Sequence, residues 1–178
     1  IGYDTNSTSK DNICTIYQAI RYGLTKFMKS TGLEKVVIGA SGGIDSSVVA
    51  AIFASIMDPK NLTLVNMPSR FNSNVTRVAA AELANNLNCN YIVIPIEDSL
   101  DVTTRQMSIV GLSYNDFILE NVQARDRSSR ILAAVAASVG GVFTCNANKS
   151  EMTVGYTTLY GDLGGFVAPI SDLWKGQV

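Results

Sequence analysis

A glycine-rich turn carrying one carboxylate is the stretch of this sequence whose residue types and spacing indicate chemistry. The segment Ser41-Gly42-Gly43-Ile44-Asp45-Ser46 follows the apolar, β-branched run Val36 to Ile38 and precedes a helix-forming run over 47–57. Backbone N–H groups in such a turn, together with the N-terminus of the following helix, bind anions and above all phosphate. Glycine lacks Cβ and lets a phosphate approach the main chain closely. The segment therefore predicts a phosphate cradle.

Asp45 distinguishes this turn from an ordinary strand-to-helix connection, which is the alternative interpretation. The segment lacks the Lys of the P-loop pattern G-x-x-x-x-G-K-[ST], and it does not match G-x-G-x-x-G. A carboxylate in the first turn of a phosphate-binding helix repels its own ligand unless a divalent cation bridges the two. We therefore expect a nucleotide phosphate held here together with a metal ion.

Composition excludes several other kinds of chemistry. The chain of 178 residues has a net charge of −1 and no histidine. The absence of histidine rules out a Ser-His-Asp or Cys-His triad and any His-ligated zinc within the chain. The charge balance favours neither nucleic acid nor an anionic membrane, and no apolar run approaches the roughly 20 residues of a membrane span. Cys14, Cys89 and Cys145 are far apart without a C-x-x-C motif, which is typical of reduced thiols in a cytoplasmic protein.

Alternating strand and helix patterns predict the framework that positions these residues. Predicted strands cover 35–39, 62–67, 91–96, 142–145 and 167–170, and predicted helices cover 11–31, 44–57, 74–88, 98–107, 116–139 and a segment that starts at Asp172. The pattern predicts an α/β fold, a doubly wound, mostly parallel five-stranded sheet with helices on both faces. Right-handed crossovers place the carboxyl ends of all its strands at one edge, where ligands bind in such sheets.

Polar clusters follow four of the predicted strands. These clusters are 41–46, 68–70, 97–98 and 146–151. Because parallel strands end at the same edge of the sheet, we expect the clusters to lie close together. Four clusters at one edge are harder to explain as unrelated surface loops than any one of them alone.

Further along the chain, polar segments admit two interpretations each. Asn121 and Arg125 are four residues apart on the predicted helix 116–139 and share a face that is either a solvated stripe or a ligand contact. The run Asn148-Lys149-Ser150-Glu151, taken alone, fits a helix cap. The Gly- and Tyr-rich stretch 155–165 is too polar for a core and long for an idle loop, so it is either a loop that closes over a substrate or a disordered surface segment.

Taken together, these motifs resemble the NAD synthetase family, within the wider ATP pyrophosphatase group whose SGGxDS loop matches 41–46. The matching segments are Met67-Pro68-Ser69-Arg70, ENVQAR at 120–125, NKSE at 148–151, GYTTLYGD at 155–162 and PISDLWK at 169–175. The resemblance covers nearly the whole chain, and its NKSE and LYGD forms are similar to those of the glutamine-dependent enzymes. It implies that 1–10 is a linker from an N-terminal glutaminase domain absent from this chain, and that 11–178 is a synthetase domain truncated at its C-terminus.

The resemblance implies ATP-dependent amidation of deamido-NAD to NAD. In that reaction the nicotinate carboxylate attacks the α-phosphorus of ATP, pyrophosphate leaves, and ammonia displaces AMP from the acyl-adenylate. The implied ligands are ATP, Mg²⁺, deamido-NAD and ammonia, and the implied assembly is a homodimer in the cytoplasm, with the apolar stripe of helix 116–139 as a candidate contact. The alternatives are another ATP pyrophosphatase, such as a GMP synthetase or a tRNA-thiolating enzyme, and an ATP-binding module without catalysis.

Roles for individual residues follow from the same resemblance. The implied ATP-binding residues are Gly39, Ala40, Ser41, Gly42, Gly43, Ile44, Asp45, Ser46, Met67, Arg70, Asn146 and Lys175. The implied deamido-NAD-binding residues are Asn121, Arg125, Glu151 and Asp162. Asp45 and Glu151 are the implied Mg²⁺ ligands, and Asp45, Asp162 and Lys175 are the implied catalytic residues. No side chain resembles a covalent nucleophile, so catalysis is expected to come from positioning and electrostatics.

Overall fold

A four-stranded parallel sheet forms the centre of the computed structural model, which describes residues 10–70 and 74–178. The strands are β1 (Val36–Gly39), β2 (Leu62–Asn66), β3 (Asn90–Val93) and β4 (Val142–Phe143), in the order β3-β2-β1-β4. The helices are α1 (Lys10–Thr31), α2 (Ile44–Ala54), α3 (Asn74–Leu87), α4 (Glu97–Ile109), α5 (Asp116–Arg125), α6 (Ala133–Val139) and α7 (Lys149–Val154). A π-helical segment, Asp126–Leu132, joins α5 to α6, and the three together are called the long helix. The doubly wound α/β class predicted from the sequence is confirmed.

The central strands are apolar because helices cover both faces of the sheet. Val36, Val37 and Ile38 of β1 are fully buried, as expected for a parallel strand enclosed on both sides. On one face the strands pack against α1, α2 and α3, with Phe53 in that core. On the other face they pack against the π segment and α6, with Ile131 in that core. The two cores hold the sheet so that its carboxyl edge stays open.

The predicted fifth strand is reduced to a single bridge. Val167 pairs with Thr144 in parallel, and the N–H of Cys145 donates to the Val167 carbonyl at 2.9 Å. Pairing stops there because Gly165 before it has a φ of +147° and Pro169 after it has no N–H to donate. The prediction of five strands is therefore wrong, and the described chain has four.

The helix predicted from Asp172 is also absent from the structure. Residues 172–178 form turns, with the N–H of Gln177 donating to the Trp174 carbonyl at 2.7 Å. The Gln177 side chain in turn accepts from the Trp174 N–H at 2.8 Å. These two bonds close a turn over 174–177 where the sequence predicts a helix.

The remaining predictions of secondary structure differ from the structure only at their ends. The predicted linker at 1–10 lies outside the described residues except for Lys10, which begins α1. Gly32, at a φ of +68°, follows the end of α1 as predicted. The predicted helix 116–139 is present as the long helix. Within 10–70 and 74–178, none of the helices combines the length and apolarity that crossing a membrane requires.

Candidate functional site

Two adjoining cavities open at the carboxyl edge of the sheet. The loop cavity, of about 380 Å³, is lined by the end of β1, the glycine-rich turn, the end of β2 and the segment after β4. The helix cavity, of about 680 Å³, is lined by α5 and by the 155–162 segment. Ala124, Arg127 and Asp162 line both cavities. The polar clusters after β1, β2 and β4 thus meet at one edge, as the sequence predicts, whereas the fourth predicted cluster, 97–98, lines neither cavity.

The glycine-rich turn has a shape that only glycine permits at one position. Gly42 has a φ of +82°, and a Cβ there would overlap the carbonyl oxygen of Thr76 on α3. Gly43 is the N-cap of α2 and has an extended backbone. It has no side chain that could accept a hydrogen bond from the first N–H groups of α2. The hydroxyls of Ser46 and Ser47 donate to the Gly43 carbonyl at 3.0 Å and 2.9 Å. The Gly43 N–H donates to Ser41 Oγ at 3.2 Å, and the turn leads directly into the N-terminus of α2, where the first N–H groups of a helix can bind an anion.

One buried residue, Asn148, links the two carboxylates predicted to bind Mg²⁺. Asn148, which has no exposed surface, donates from Nδ2 to Asp45 Oδ1 at 3.0 Å. The backbone N–H of Asn148 donates to Glu151 Oε2 at 3.0 Å, and its Oδ1 accepts from the Glu151 N–H at 3.1 Å. This reciprocal pair is a capping box at the start of α7. The helix-cap interpretation and the ligand interpretation of Glu151 are compatible, because Glu151 also lines the loop cavity.

The donor set suits a magnesium ion that arrives with a nucleotide. Among residues 10–70 and 74–178, no group of three or more His, Cys, Asp or Glu side chains is placed to hold a metal by itself. Mg²⁺ commonly takes one or two carboxylates and completes its shell with water and substrate phosphates. Asp45 and Glu151 line the same cavity as the glycine-rich turn. Lys175 forms an ion pair with Asp45 and adds a positive charge beside them.

The predicted ATP-binding residues fall into three groups. Those that line the loop cavity are Gly39, Ala40, Ser41, Asp45, Ser46, Met67 and Asn146. Gly42, Gly43 and Ile44 complete the adjoining turn and the start of α2, and Lys175 reaches the site through Asp45. Arg70 lies apart from both cavities, where it pairs with Glu97 and Asp101.

Asn146 is held in place by hydrogen bonds at both ends of its amide. Its Nδ2 donates to the Gly39 carbonyl at 3.1 Å, and its Oδ1 accepts from the Thr144 hydroxyl at 2.8 Å. Asn146 therefore ties the end of β4 to the end of β1 while lining the loop cavity.

Two of the predicted deamido-NAD residues, Asn121 and Arg125, hold the 155–165 segment against the long helix. Asn121 lines the helix cavity, and its Oδ1 accepts from the Thr158 hydroxyl at 3.1 Å. Arg125 is exposed and lines neither cavity; its Nε donates to the Leu159 carbonyl at 3.2 Å. The Asp162 carboxylate accepts from the Thr158 N–H and lies where the cavities meet. Asn121 and Asp162 are thus brought together, whereas Arg125 acts on the loop from outside.

Arg127 is a site residue that the sequence interpretation missed. Its Nε donates to the Met67 carbonyl at 3.1 Å and its Nη2 to Gln123 Oε1 at 3.3 Å. Burial lowers the pKa of the Arg127 guanidinium, and neighbouring Asp126 opposes that shift. The residue lies two positions after Arg125, on a different side of the helix, so the face defined by Asn121 and Arg125 leaves it out. The sequence did contain a signal for Arg127, namely a basic residue within a run of polar residues on the predicted helix.

Together, the glycine-rich turn, the paired carboxylates and the open carboxyl edge define a doubly wound α/β protein of the nucleotide-binding class. The chain belongs to the NAD synthase family, whose model matches residues 16–178.

Curated relatives match most of this chain but are much longer. It is 39% identical over 165 residues to the glutamine-dependent NAD(+) synthetase of Aquifex aeolicus, covering 92% of this chain and 29% of that protein. It is 38% identical over 164 residues to the enzyme of that name from Thermotoga maritima, covering 92% and 28%. The chain therefore spans less than a third of the length of these relatives.

Solved structures show the same fold. The glutamine-dependent NAD+ synthetase of Acinetobacter baumannii in complex with ADP has a TM-score of 0.89 at 30% identity, over 93% of this chain and 31% of that one. The NH3-dependent NAD synthetase of Campylobacter jejuni has a TM-score of 0.85 at 30% identity, over 93% and 69%. An NMN synthetase from Francisella tularensis has a TM-score of 0.85 at 28% identity, over 93% and 67%.

Proposed function

We propose that this chain is the synthetase domain of an NAD synthetase, which uses ATP to amidate deamido-NAD to NAD and releases AMP and pyrophosphate. The observation that carries the proposal is the junction at Ala124, Arg127 and Asp162, which line both cavities. Joining a carboxylate to the α-phosphorus requires two substrates to meet with their reacting atoms in contact. One cavity holds ATP, the other holds deamido-NAD, and the reaction occurs where they adjoin.

The loop cavity takes ATP. The N–H groups of the glycine-rich turn and of the first turn of α2 bind its phosphates, and Asn146 and the Met67 backbone lie along the remainder. Asp45 and Glu151 hold Mg²⁺, which when bound neutralises phosphate charge. Lys175, beside Asp45, supplies a further positive charge as pyrophosphate leaves. Arg70 joins this site only by leaving its pairs with Glu97 and Asp101.

The helix cavity takes deamido-NAD. Its volume of about 680 Å³ is within the usual range of small-molecule sites, and Asn121 and Thr158 offer polar contacts there. Arg127 places a guanidinium between the two ligands, where it attracts the nicotinate carboxylate and stabilises the charge that develops at the α-phosphorus. Asp162 lies at the same junction and accepts a proton from the incoming ammonium, while Arg125 keeps the 155–165 segment in place.

In the parent protein, an N-terminal glutaminase domain supplies the ammonia. Support for this comes from the glutamine-dependent relatives, of which this chain spans only 29% and 28%. The parent protein is a homodimer in contact along the long helix. It works in the cytoplasm, where the free thiols of Cys14, Cys89 and Cys145 stay reduced.

A product assay tests the proposal. The intact parent protein receives ATP, Mg²⁺, ammonium and deamido-NAD, and a parallel reaction replaces deamido-NAD with its mononucleotide counterpart. We expect NAD, AMP and pyrophosphate from the first reaction. ADP and phosphate would contradict the proposed cleavage, ATP binding without products would indicate a non-catalytic module, and faster turnover of the mononucleotide would redirect the substrate assignment.

A second assay tests the source of nitrogen. No residue of the chain resembles an amidase nucleophile, so we expect the 178-residue chain to release no ammonia from glutamine. Glutamine hydrolysis by this chain alone would contradict the assignment of that step to another domain.

A further inference from the structure

Two buried side-chain atoms of the described residues have no hydrogen-bond partner: Asn66 Oδ1 and Ser128 Oγ. The two residues are only 5% and 4% exposed. They come from different elements, the end of β2 and the π segment, and both line the loop cavity. Buried polar atoms are nearly always paired in folded proteins. Two unpaired atoms at one cavity indicate partners supplied by a ligand.

The Asn66 side chain is fixed as a hydrogen-bond acceptor. Its Nδ2 donates to the Ala40 carbonyl at 2.7 Å. Rotating the amide by 180° would set Oδ1 against that carbonyl oxygen, so the observed orientation is the favoured one. Oδ1 therefore needs a donor, and a phosphate offers only acceptor oxygens at neutral pH. The missing partner is a group that carries an N–H or O–H.

Ser128 is unusual among the helical hydroxyls of this protein. Several Ser and Thr hydroxyls in helices donate to a carbonyl one turn earlier, as Thr25 does to Arg21 at 2.7 Å, Thr103 to Ser99 at 2.9 Å and Ser108 to Thr104 at 3.0 Å. Ser128 makes no such bond and lies in the π segment, whose hydrogen-bond register differs from that of an α-helix. A Cβ at Gly164 would overlap Ser128 Oγ, so the 155–165 segment leaves room for the hydroxyl.

We propose that Asn66 and Ser128 form a subsite for the uncharged part of the nucleotide and determine its selectivity. The partner is a neutral hydrogen-bond donor, either a ribose hydroxyl or the exocyclic amine of adenine. Met67 and Leu132 line the same cavity, and each has a methyl carbon 3.2 Å from where a Gly39 Cβ would lie. Their apolar surface suits a nucleoside rather than a phosphate. The subsite rests on the proposed binding of ATP to the loop cavity.

A Ser128→Ala substitution separates a ligand contact from a structural role. Removing an unpaired hydroxyl leaves the melting temperature of the chain equal or higher, because no bond of the ligand-free protein is lost. The same substitution weakens calorimetric binding of ATP with Mg²⁺ by about 3- to 10-fold. Ser138→Ala is the control, since Ser138 lies near the end of α6 and bonds only to the Val135 carbonyl at 2.8 Å. A lowered melting temperature with unchanged ATP affinity would overturn the proposal.

The partner of Asn66 is identified with nucleotide analogues. Asn66→Leu also removes the bond to Ala40, so the informative quantity is the ratio of affinities for ATP and an analogue. The analogues are 2′-deoxy-ATP, 3′-deoxy-ATP and the purine riboside triphosphate that lacks the 6-amino group. We expect the wild-type chain to prefer ATP over one of them by about tenfold, and the variant to lose that preference. Loss against a deoxy analogue assigns a ribose hydroxyl, and loss against the purine analogue assigns the amine.

The outcomes distinguish this subsite from the proposed function. Unchanged ratios for all three analogues in Asn66→Leu, or unchanged ATP affinity in Ser128→Ala, would overturn the subsite while ATP binding by the wild-type chain stands. A wild-type chain that binds no ATP with Mg²⁺ would overturn the proposed function, and the subsite with it.

Discussion

Asn148 Nδ2 lies 3.0 Å from Asp45 Oδ1, although the two residues are 103 positions apart in the chain. The same Asn148 forms the capping box with Glu151. Asn148, which has no exposed surface, thus positions both carboxylates that we propose as Mg²⁺ ligands: its side-chain amide holds Asp45, and its backbone N–H holds Glu151. The geometry of the site therefore depends on a residue that needs no contact with the ligands.

Asn148→Ala is expected to lower both stability and metal-dependent binding. The substitution removes a helix cap and leaves buried polar groups unpaired, which together cost about 2–4 kcal/mol of unfolding free energy. It also frees Asp45 from its amide partner, so binding of ATP should lose most of its dependence on Mg²⁺. Urea unfolding and calorimetric titration with and without Mg²⁺ measure the two effects.

Asn115→Ala is the matched control for Asn148→Ala. Asn115 caps α5, where its Oδ1 accepts from the Ile118 N–H at 3.0 Å. Losing this exposed cap costs about 1 kcal/mol and should leave the Mg²⁺ dependence intact. Equal loss of metal dependence in both variants would show that the effect comes from general destabilisation.

Asp45→Asn should reduce synthetase turnover by at least about a hundredfold while the chain stays folded. The substitution keeps the shape of the side chain but removes the charge proposed to bind Mg²⁺ and paired with Lys175. Turnover is measured at saturating ATP and deamido-NAD. Asp58→Asn is the control, because Asp58 caps the short 3₁₀ helix Pro59–Asn61 and lines neither cavity. Near-normal turnover in Asp45→Asn would refute the metal role.

Gly42→Ala and Gly43→Ala should behave very differently. Gly42 has a φ of +82° and no room for Cβ beside Thr76, so alanine there should distort the turn and abolish ATP binding. Gly43 has a φ of −89°, and a Cβ would lie 3.2 Å from Ser41 Oγ, which can shift slightly. We expect Gly43→Ala to fold with near wild-type stability in thermal unfolding. Equal tolerance at both positions would contradict the described shape of the turn.

Arg127→Lys should lower kcat by about 100-fold with a smaller effect on the KM for ATP. Lysine retains a charge but cannot span Met67 and Gln123 with a planar guanidinium. Steady-state kinetics of the parent protein provide the test, and Arg105→Lys on the exposed side of α4 is the control. An unchanged kcat would remove Arg127 from the proposed junction.

Asp126 should make stability depend on acidity. Burial alone would raise the pKa of this carboxyl, but hydrogen bonds from Arg130 and Ser99 lower it overall. A carboxyl with a lowered pKa in the folded state stabilises the protein above the ordinary Asp value of about 3.9, and this contribution is lost as pH falls from there through the folded pKa. Asp126→Asn should be less stable at neutral pH and lose less stability below pH 4. The unfolding free energy of both proteins is measured by urea denaturation between neutral pH and about pH 3, below the ordinary Asp value. An equal loss of unfolding free energy in the two proteins as pH falls would contradict this prediction.

The sequence predicts the parts of the fold that local patterns determine. The apolar run before Gly42 and the helix after it identify β1, the turn and α2, because strand, turn and helix follow each other without a long-range partner. The fifth strand is wrong because its pairing ends at Gly165 and Pro169, whose effect depends on the neighbouring strand. The helix predicted from Asp172 is wrong because the hydrogen bonds between Trp174 and Gln177 close a turn there, and a sequence pattern does not reveal which of these bonds form.

The site is less predictable than the fold. Asp45 and Glu151 are brought to one cavity as expected, but the link between them through Asn148 exists only after folding. Arg127 was missed because the helical face was defined by Asn121 and Arg125. Asn66 and Ser128 have ordinary sequence contexts, and only the structure reveals that their polar atoms lack partners. The ligand roles assigned from the resemblance remain predictions that the experiments above address.

The π segment lies between the part of the long helix that lines the cavities and the part that packs against the sheet. Residues of α5, together with Arg127 and Ser128 of the π segment, line the cavities, whereas Ile131, Val135 and Ala136 pack against the sheet. One residue of an α-helix corresponds to a rotation of about 100°, so deleting one residue from Asp126–Leu132 would rotate α5 relative to α6 and turn its cavity-lining face away from the cavities. The π segment therefore sets the orientation of α5 relative to the core, and an insertion or deletion within it would change that orientation without replacing any residue of α5 or α6.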